Sequence, residues 1–124
     1  MTTSRPYSFW RQVGYALAGL ALLAQKHRHF QIHLVIAALA IVISFLLALS
    51  PIEWAVLTLT IALVLSVEAL NSAIEAAVDC AVGEEQHPIA KAAKDMAAGA
   101  CLLSAFFAVL IGICLWLPKV WARF

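Results

Sequence analysis

Residues 34–49 read LVIAALAIVISFLLAL, and Ser50 and Pro51 follow at once. No charge interrupts the run. With Phe30, Ile32 and His33 ahead of it, it reaches the about 20 residues that cross a bilayer as a helix. Pro51 has no backbone N–H, which suits the first turn of a new helix. Ser50 can cap that helix, and Glu53 falls where the positive end of the dipole favours an acid. Two helices joined by a very short turn are therefore expected. The second stays apolar to Val67, changes to EALNSAIEAAVD over residues 68–79, and ends near residues 81–83. A connector, GEEQHP, leads to a third helix over residues 89–117. That helix is polar at Lys91, Lys94 and Asp95 and then apolar as far as Pro118. The fold class is an all-α membrane protein, a single unit over residues 1–124, with spans over about 30–49, 52–81 and 89–117.

The composition agrees. Of 124 residues, 65% are hydrophobic and 12% charged, and the mean hydropathy is +0.96. An ordinary soluble domain is about 45–50% apolar and about 25% charged. A chain this short cannot bury such an excess, so a soluble monomer is excluded, and so is disorder. The net charge of +1 gives no basic field for nucleic acid. Cys80, Cys101 and Cys114 have no CxxC spacing and read as buried small hydrophobes. The opening MTTSRPYSFWRQVGY has no apolar core followed by a small-residue cleavage site, so no cleaved leader is expected.

Residues 7–25 read as an amphipathic helix at the membrane interface, with Phe9, Trp10 and Tyr15 as interfacial aromatics. Trp121 and Arg123 read as anchors in the tail. Arg5, Arg11, Lys26, Arg28, Lys91 and Lys94 share one side, and Lys119 and Arg123 the other. The excess of cations places the N-terminus and the connector in the cytoplasm. Ala97, Ala98, Gly99 and Ala100 form a small-residue patch where helices could pack closely.

The second helix carries the chemistry. Glu68, Asn71, Glu75 and Asp79 are spaced so that all four lie within about 80° of one another on a helix turning about 100° per residue. Lys91, Lys94 and Asp95 share a face of the next helix at the same end. A short connector makes the two helices antiparallel neighbours, so these groups should meet in one pocket. Ionisable groups within a membrane usually mark a functional site. A partly buried carboxylate can serve as general base, a second can hold Mg²⁺, and a lysine can neutralise phosphate. That is the outfit for phosphoryl transfer from ATP, without a Walker loop or a protein-kinase motif. The plainer alternative is that polar residues simply end the helices in the headgroup region. Glu84, Glu85 and Lys91 suit it well; Glu68 suits it badly, because it lies near three turns before the connector. His29 and His33, four residues apart, could bind a metal but read more simply as interfacial histidines.

EALNSAIEAAVD at 68–79 and HPIAKAAKDMAAGA at 87–100 together resemble the small prokaryotic diacylglycerol kinases, a family that includes undecaprenol kinases. The resemblance runs over residues 15–117. It implies a homotrimer in a prokaryotic plasma membrane, with composite active sites facing the cytoplasm and an amphipathic helix on each subunit. It implies an ATP-dependent lipid kinase needing Mg²⁺, with Glu68 as the base that takes the lipid hydroxyl's proton. Glu75 is implied as Mg²⁺ ligand and ATP contact, with Asn71 bracing it and Asp79 in support. Tyr15, Glu85, Gln86, His87, Lys94 and Asp95 are implied around ATP, with Ala98 and Glu68 against the lipid. Many members carry a glutamate as second metal ligand three residues before the phenylalanine matching Phe30. Here that position is His27, and imidazole is a poorer Mg²⁺ ligand. Ala18 stands where a lysine or arginine is common.

The implied reaction converts diacylglycerol to phosphatidic acid. The alternative acceptor is undecaprenol, giving undecaprenyl phosphate; FQIH at 30–33 and HPIAK at 87–91 lean that way, and the Asn71-Ser72 pair leans to diacylglycerol. A reading of another class is a small ion- or proton-conducting bundle. It predicts carboxylates spread through the membrane depth, whereas all but Glu53 fall between Glu68 and Asp95.

Overall fold

The computed structural model describes residues 8–124; Arg5 and Tyr7 lie outside them. Four helices follow one another: α1 (Phe9–Lys26), α2 (Arg28–Leu46), α3 (Pro51–Val82) and α4 (Pro88–Trp121). The last three are long and apolar enough to cross a membrane. α3 and α4 form the most extensive packed pair, α2 lies against α3, and α1 touches α2 and α3. Large apolar side chains such as Leu59, Leu102 and Phe106 point outward. That surface suits a hydrocarbon solvent and would be untenable in water.

Two breaks made legible by the sequence are built as expected. Ser50 Oγ accepts from the Glu53 N–H at 3.4 Å, and Glu53 Oε2 accepts from the Ser50 N–H at 2.6 Å. This is a reciprocal capping box on the first turn of α3. His87 Nδ1 accepts from the Ile89 N–H at 3.2 Å and caps α4, with Pro88 in its first turn. Residues 83–87 join α3 to α4, and Gly83 supplies the turn with φ of 60°.

Two boundaries differ from expectation. α2 stops at Leu46 rather than running to residue 49, because the chain turns through Ala48 at φ 53°. The carbonyls that this early stop frees are met from α4. Arg123 Nη2 donates to the Leu46 oxygen at 2.6 Å, and Lys119 Nζ to that of Ala48 at 3.5 Å. α4 also runs past Pro118, because proline removes only its own N–H while Ala122 still donates to the Pro118 carbonyl at 3.0 Å.

The same end holds the apolar core of Ala40, Leu49 and Leu57, with Trp54 and Trp116 packed on it. Ser44 is fully buried there and accepts from Trp116 Nε1 at 3.0 Å. Lys119 pairs with Glu53 at 2.9 Å. The small-residue patch is packed only in part: Ala97 is buried, but Ala98 and Gly99 are exposed and a side chain at Gly99 would meet nothing. The cysteines also differ from expectation, since Cys80 and Cys114 are exposed and Cys101 is half-buried. A residue on a single helix can face lipid as comfortably as a core.

Ser50→Ala should destabilise the chain by about 1 kcal/mol, since it removes the cap acceptor. Unfolding in mixed micelles would measure it, with Thr at the same position expected to retain most of the stability.

Candidate functional site

The depth of each group follows from helix length. α3 has 32 residues, and at about 1.5 Å per residue it is about 48 Å long, against a hydrocarbon core of about 30 Å. Counted from Pro51, Glu68 lies about 25 Å along the axis, Glu75 about 36 Å and Asp79 about 42 Å. Glu68 therefore falls inside the apolar layer near its edge. Glu75 and Asp79 fall in the headgroup region or beyond.

Burial follows the same order. Glu68 is 5% exposed, Glu75 is half-buried and Asp79 is exposed. Asn71 Nδ2 donates to Glu75 Oε1 at 3.1 Å, one helical turn away. The Asn71 Oδ1 atom is buried without a hydrogen-bond partner. Glu68 Oε2 lies 3.8 Å from His33 Nε2 of α2. Cys101 of α4 stands beside the same carboxylate, with its thiol toward the Val67 carbonyl at 3.8 Å. Ser72, one turn beyond Glu68, is buried too.

At the connector end the two long helices are tied by charge. Lys94 Nζ binds Asp79 Oδ1 at 2.8 Å across the α3–α4 seam. Lys91 pairs with Asp95 one turn along α4. Around them lies a cleft of about 620 Å³, lined among others by Asp79, Glu85, Gln86, His87, Lys94 and Asp95. Within one chain the expected pocket is drawn out along α3, with Glu75 still in electrostatic reach of Lys94. The cleft collects Asp79, Lys91, Lys94 and Asp95 with the connector, while Glu68, Asn71 and Glu75 sit deeper on α3 and do not line it. The cause is the rise of the helix: residues on one face can still lie far apart along its axis.

A second cavity, of about 510 Å³, runs between α2, α3 and α4. Its walls are aliphatic, with His33 in its lining together with Trp116 and Val120 from near the far end of α4. Tyr15 is on the exposed side of α1 and makes a polar or ring interaction. His27 is at the joint of α1 and α2, in extended backbone. Among the described residues no three His, Cys, Asp or Glu side chains come together as a metal cage. His29 is exposed and His33 faces Glu68. The place of His33 was missed in the sequence, since its partner is on another helix and no spacing points to it.

This is a small multi-helix membrane protein with a carboxylate in its apolar layer and a charged cleft at one end. Residues 14–116 match the model of the family described as prokaryotic diacylglycerol kinase. The chain is 47% identical over 106 residues to a diacylglycerol kinase of Synechocystis, covering 86% of this chain and 61% of that protein. It therefore spans about three-fifths of that relative's length. It is 40% identical over 112 residues to an undecaprenol kinase of Bacillus subtilis, 90% of either chain. It is 34% identical over 114 residues to a diacylglycerol kinase of Escherichia coli K12, covering 92% of this chain and 89% of that one. The chain belongs to the prokaryotic diacylglycerol kinase family.

Asp79→Asn should release Lys94. The expected result is several-fold faster acylation of the Lys94 amine, followed by mass spectrometry, with little change in thermal midpoint because the pair is exposed.

Proposed function

We propose that this protein is an ATP-dependent lipid kinase that phosphorylates the hydroxyl of diacylglycerol, with undecaprenol as the alternative acceptor. The carrying observation is Glu68, a carboxylate 5% exposed, near the edge of the apolar layer and one contact from an aliphatic slot. A lipid alcohol brings its hydroxyl to that depth; a soluble acceptor does not. Family membership supports the reaction class, and the printed names of the relatives support both acceptors.

In this reading Glu68 takes the proton of the lipid hydroxyl as general base. The cleft receives ATP. Glu85, Gln86 and His87 meet the nucleoside, Tyr15 approaches from α1, and Lys94 and Asp95 sit at the phosphates. Lys94 exchanges Asp79 for phosphate oxygens, and Asp79 keeps a supporting role. Ala98, three residues before Cys101 on α4, borders the lipid. Mg²⁺ fits the donor set through Glu75, whose oxygen is braced by Asn71. Mg²⁺ is commonly held by one or two carboxylates together with the substrate's phosphates, which is the part Glu75 would play. Bound there, the ion would neutralise charge developing on the transferred phosphoryl group. His27 stands where many members carry the second metal ligand, and an imidazole there is a poorer partner for Mg²⁺ than a carboxylate.

The separation of Glu68 and Glu75 from the cleft supports a composite site shared in a homotrimer, in which a neighbouring subunit completes what one chain spreads along α3. The cation distribution supports a cytoplasmic cleft: Lys26, Arg28, Lys91 and Lys94 lie at that end, while Lys119 and Arg123 bind the α2–α3 turn. The unit is the whole chain, residues 1–124. The clustering of acids toward one end disfavours a conducting bundle.

The test is phosphate transfer from labelled ATP with Mg²⁺ in lipid micelles, offering diacylglycerol and undecaprenol side by side. Glu68→Gln should lower kcat by about 10²–10⁴. Lys94→Met should raise KM for ATP, and Glu75→Gln should raise the Mg²⁺ needed for half-maximal rate. No transfer to either lipid by the intact protein would overturn the reading.

A further inference from the structure

The imidazole of His33 links two features that the kinase reading uses separately. It lines the aliphatic slot, and its Nε2 lies 3.8 Å from Glu68 Oε2. Glu68 itself is not part of the slot's wall, so His33 is where slot and base meet.

The polar inventory of the slot is short. Thr60 donates its hydroxyl to the Val56 carbonyl at 2.8 Å. Trp116 donates its indole N–H to Ser44 at 3.0 Å. The other lining side chains, apart from His33, are aliphatic or absent. Among the described residues, His33 therefore brings the only lining N–H or O–H not already given to a protein acceptor in a hydrogen bond. Cys101 also stands by Glu68, but a thiol is a weak donor and its Sγ is turned to Val67.

The 3.8 Å gap is itself informative. It is too long for a direct hydrogen bond. It suits two groups that share a third atom: an oxygen at about 2.8 Å from each fits between them. A lipid hydroxyl can give its proton to a carboxylate and accept from an imidazole N–H at once.

We propose that His33 is a further catalytic residue of this chain, donating its Nε2–H to the lipid hydroxyl while Glu68 accepts that hydroxyl's proton. The proposal rests on the kinase reading. In the step, the hydroxyl proton passes to Glu68 Oε2 and the hydroxyl oxygen bonds to the γ-phosphorus of ATP. The bond from that phosphorus to the β–γ bridging oxygen breaks, and its electron pair leaves on ADP. His33 keeps its proton and occupies one lone pair of the hydroxyl oxygen, which leaves the other aligned for attack. A bound lipid thus has its hydroxyl fixed by two groups from two helices at the slot wall.

The experiment compares His33→Phe, which keeps a ring without an N–H, with His33→Gln, which restores a donor. Both are assayed in micelles with Mg²⁺, ATP and the acceptor that the intact protein prefers. H33F should lose about a hundredfold in kcat, because the hydroxyl is no longer held in its attacking position. KM for ATP should not change, and H33Q should recover much of the lost rate. Wild-type kcat in H33F would overturn the proposal. So would equal losses in both variants, or a loss confined to KM for ATP. If H33F does not fold, His33→Leu read beside H33Q serves as the same comparison. Absence of lipid phosphorylation in the intact protein would instead overturn the kinase reading, and this inference with it.

Discussion

A carboxylate inside the apolar layer is the constraint on which the rest of the structure turns. Glu68 is 5% exposed on a helix that is aliphatic before it, at Val64, Leu65 and Val67, and polar after it, at Asn71 and Ser72. An isolated charge there is expensive, and polar neighbours must offset it. α3 supplies the buried Ser72 one turn on, and the rest of its polar face continues toward the headgroups. The other neighbours come from α2, through His33, and from α4, through Cys101. Three helices must therefore be held in one register for one side chain to be tolerated.

That register is set at both ends of the bundle. At the turn between α2 and α3, Lys119 of α4 and Arg123 just past its end bind carbonyls that the end of α2 leaves open, and Lys119 also meets Glu53. Trp116 adds a hydrogen bond to the buried Ser44. At the other end, Lys94 reaches across to Asp79. In lipid, apolar burial gives helices little reason to choose one register over another, because the tails are as apolar as leucine. Polar ties at the two margins do that selecting. They also leave the middle of the bundle free to hold an aliphatic slot.

The sequence made the helices legible because each break is chemical and local. Ser50, Pro51 and Glu53 specify a cap within four residues, and Gly83 with Pro88 brackets the connector. The acidic face of α3 was legible for the same reason, since helical spacing alone puts Glu68, Asn71, Glu75 and Asp79 together. What escaped was everything that depends on a second helix. His33 looked like an interfacial histidine because its partner is thirty-five positions away, and no periodicity connects them. The continuation of α4 through Pro118 was hidden because the residues past it are held by contacts to α2. The distance between the cleft and the buried Glu68 was missed because a shared face was read as a shared place. A face fixes angle but not height, and height along α3 is what separates these groups.

Height is also what gives the acidic face its meaning. A water-facing enzyme could gather its carboxylates in one layer. Here they are graded along one helix, from the buried Glu68 beside hydrocarbon, through a half-buried Glu75, to an exposed Asp79 beside a lysine. The two co-substrates of the proposed reaction have the same gradient. A lipid alcohol keeps its chain in the membrane and raises only its hydroxyl, while ATP remains in water and lowers only its phosphates. A catalyst for that pair has to place its base deep and its phosphate-binding groups shallow, with metal-binding oxygen between them. A single helix that outruns the bilayer can do this with no loop at all, and α3 has 32 residues where a crossing needs about 20.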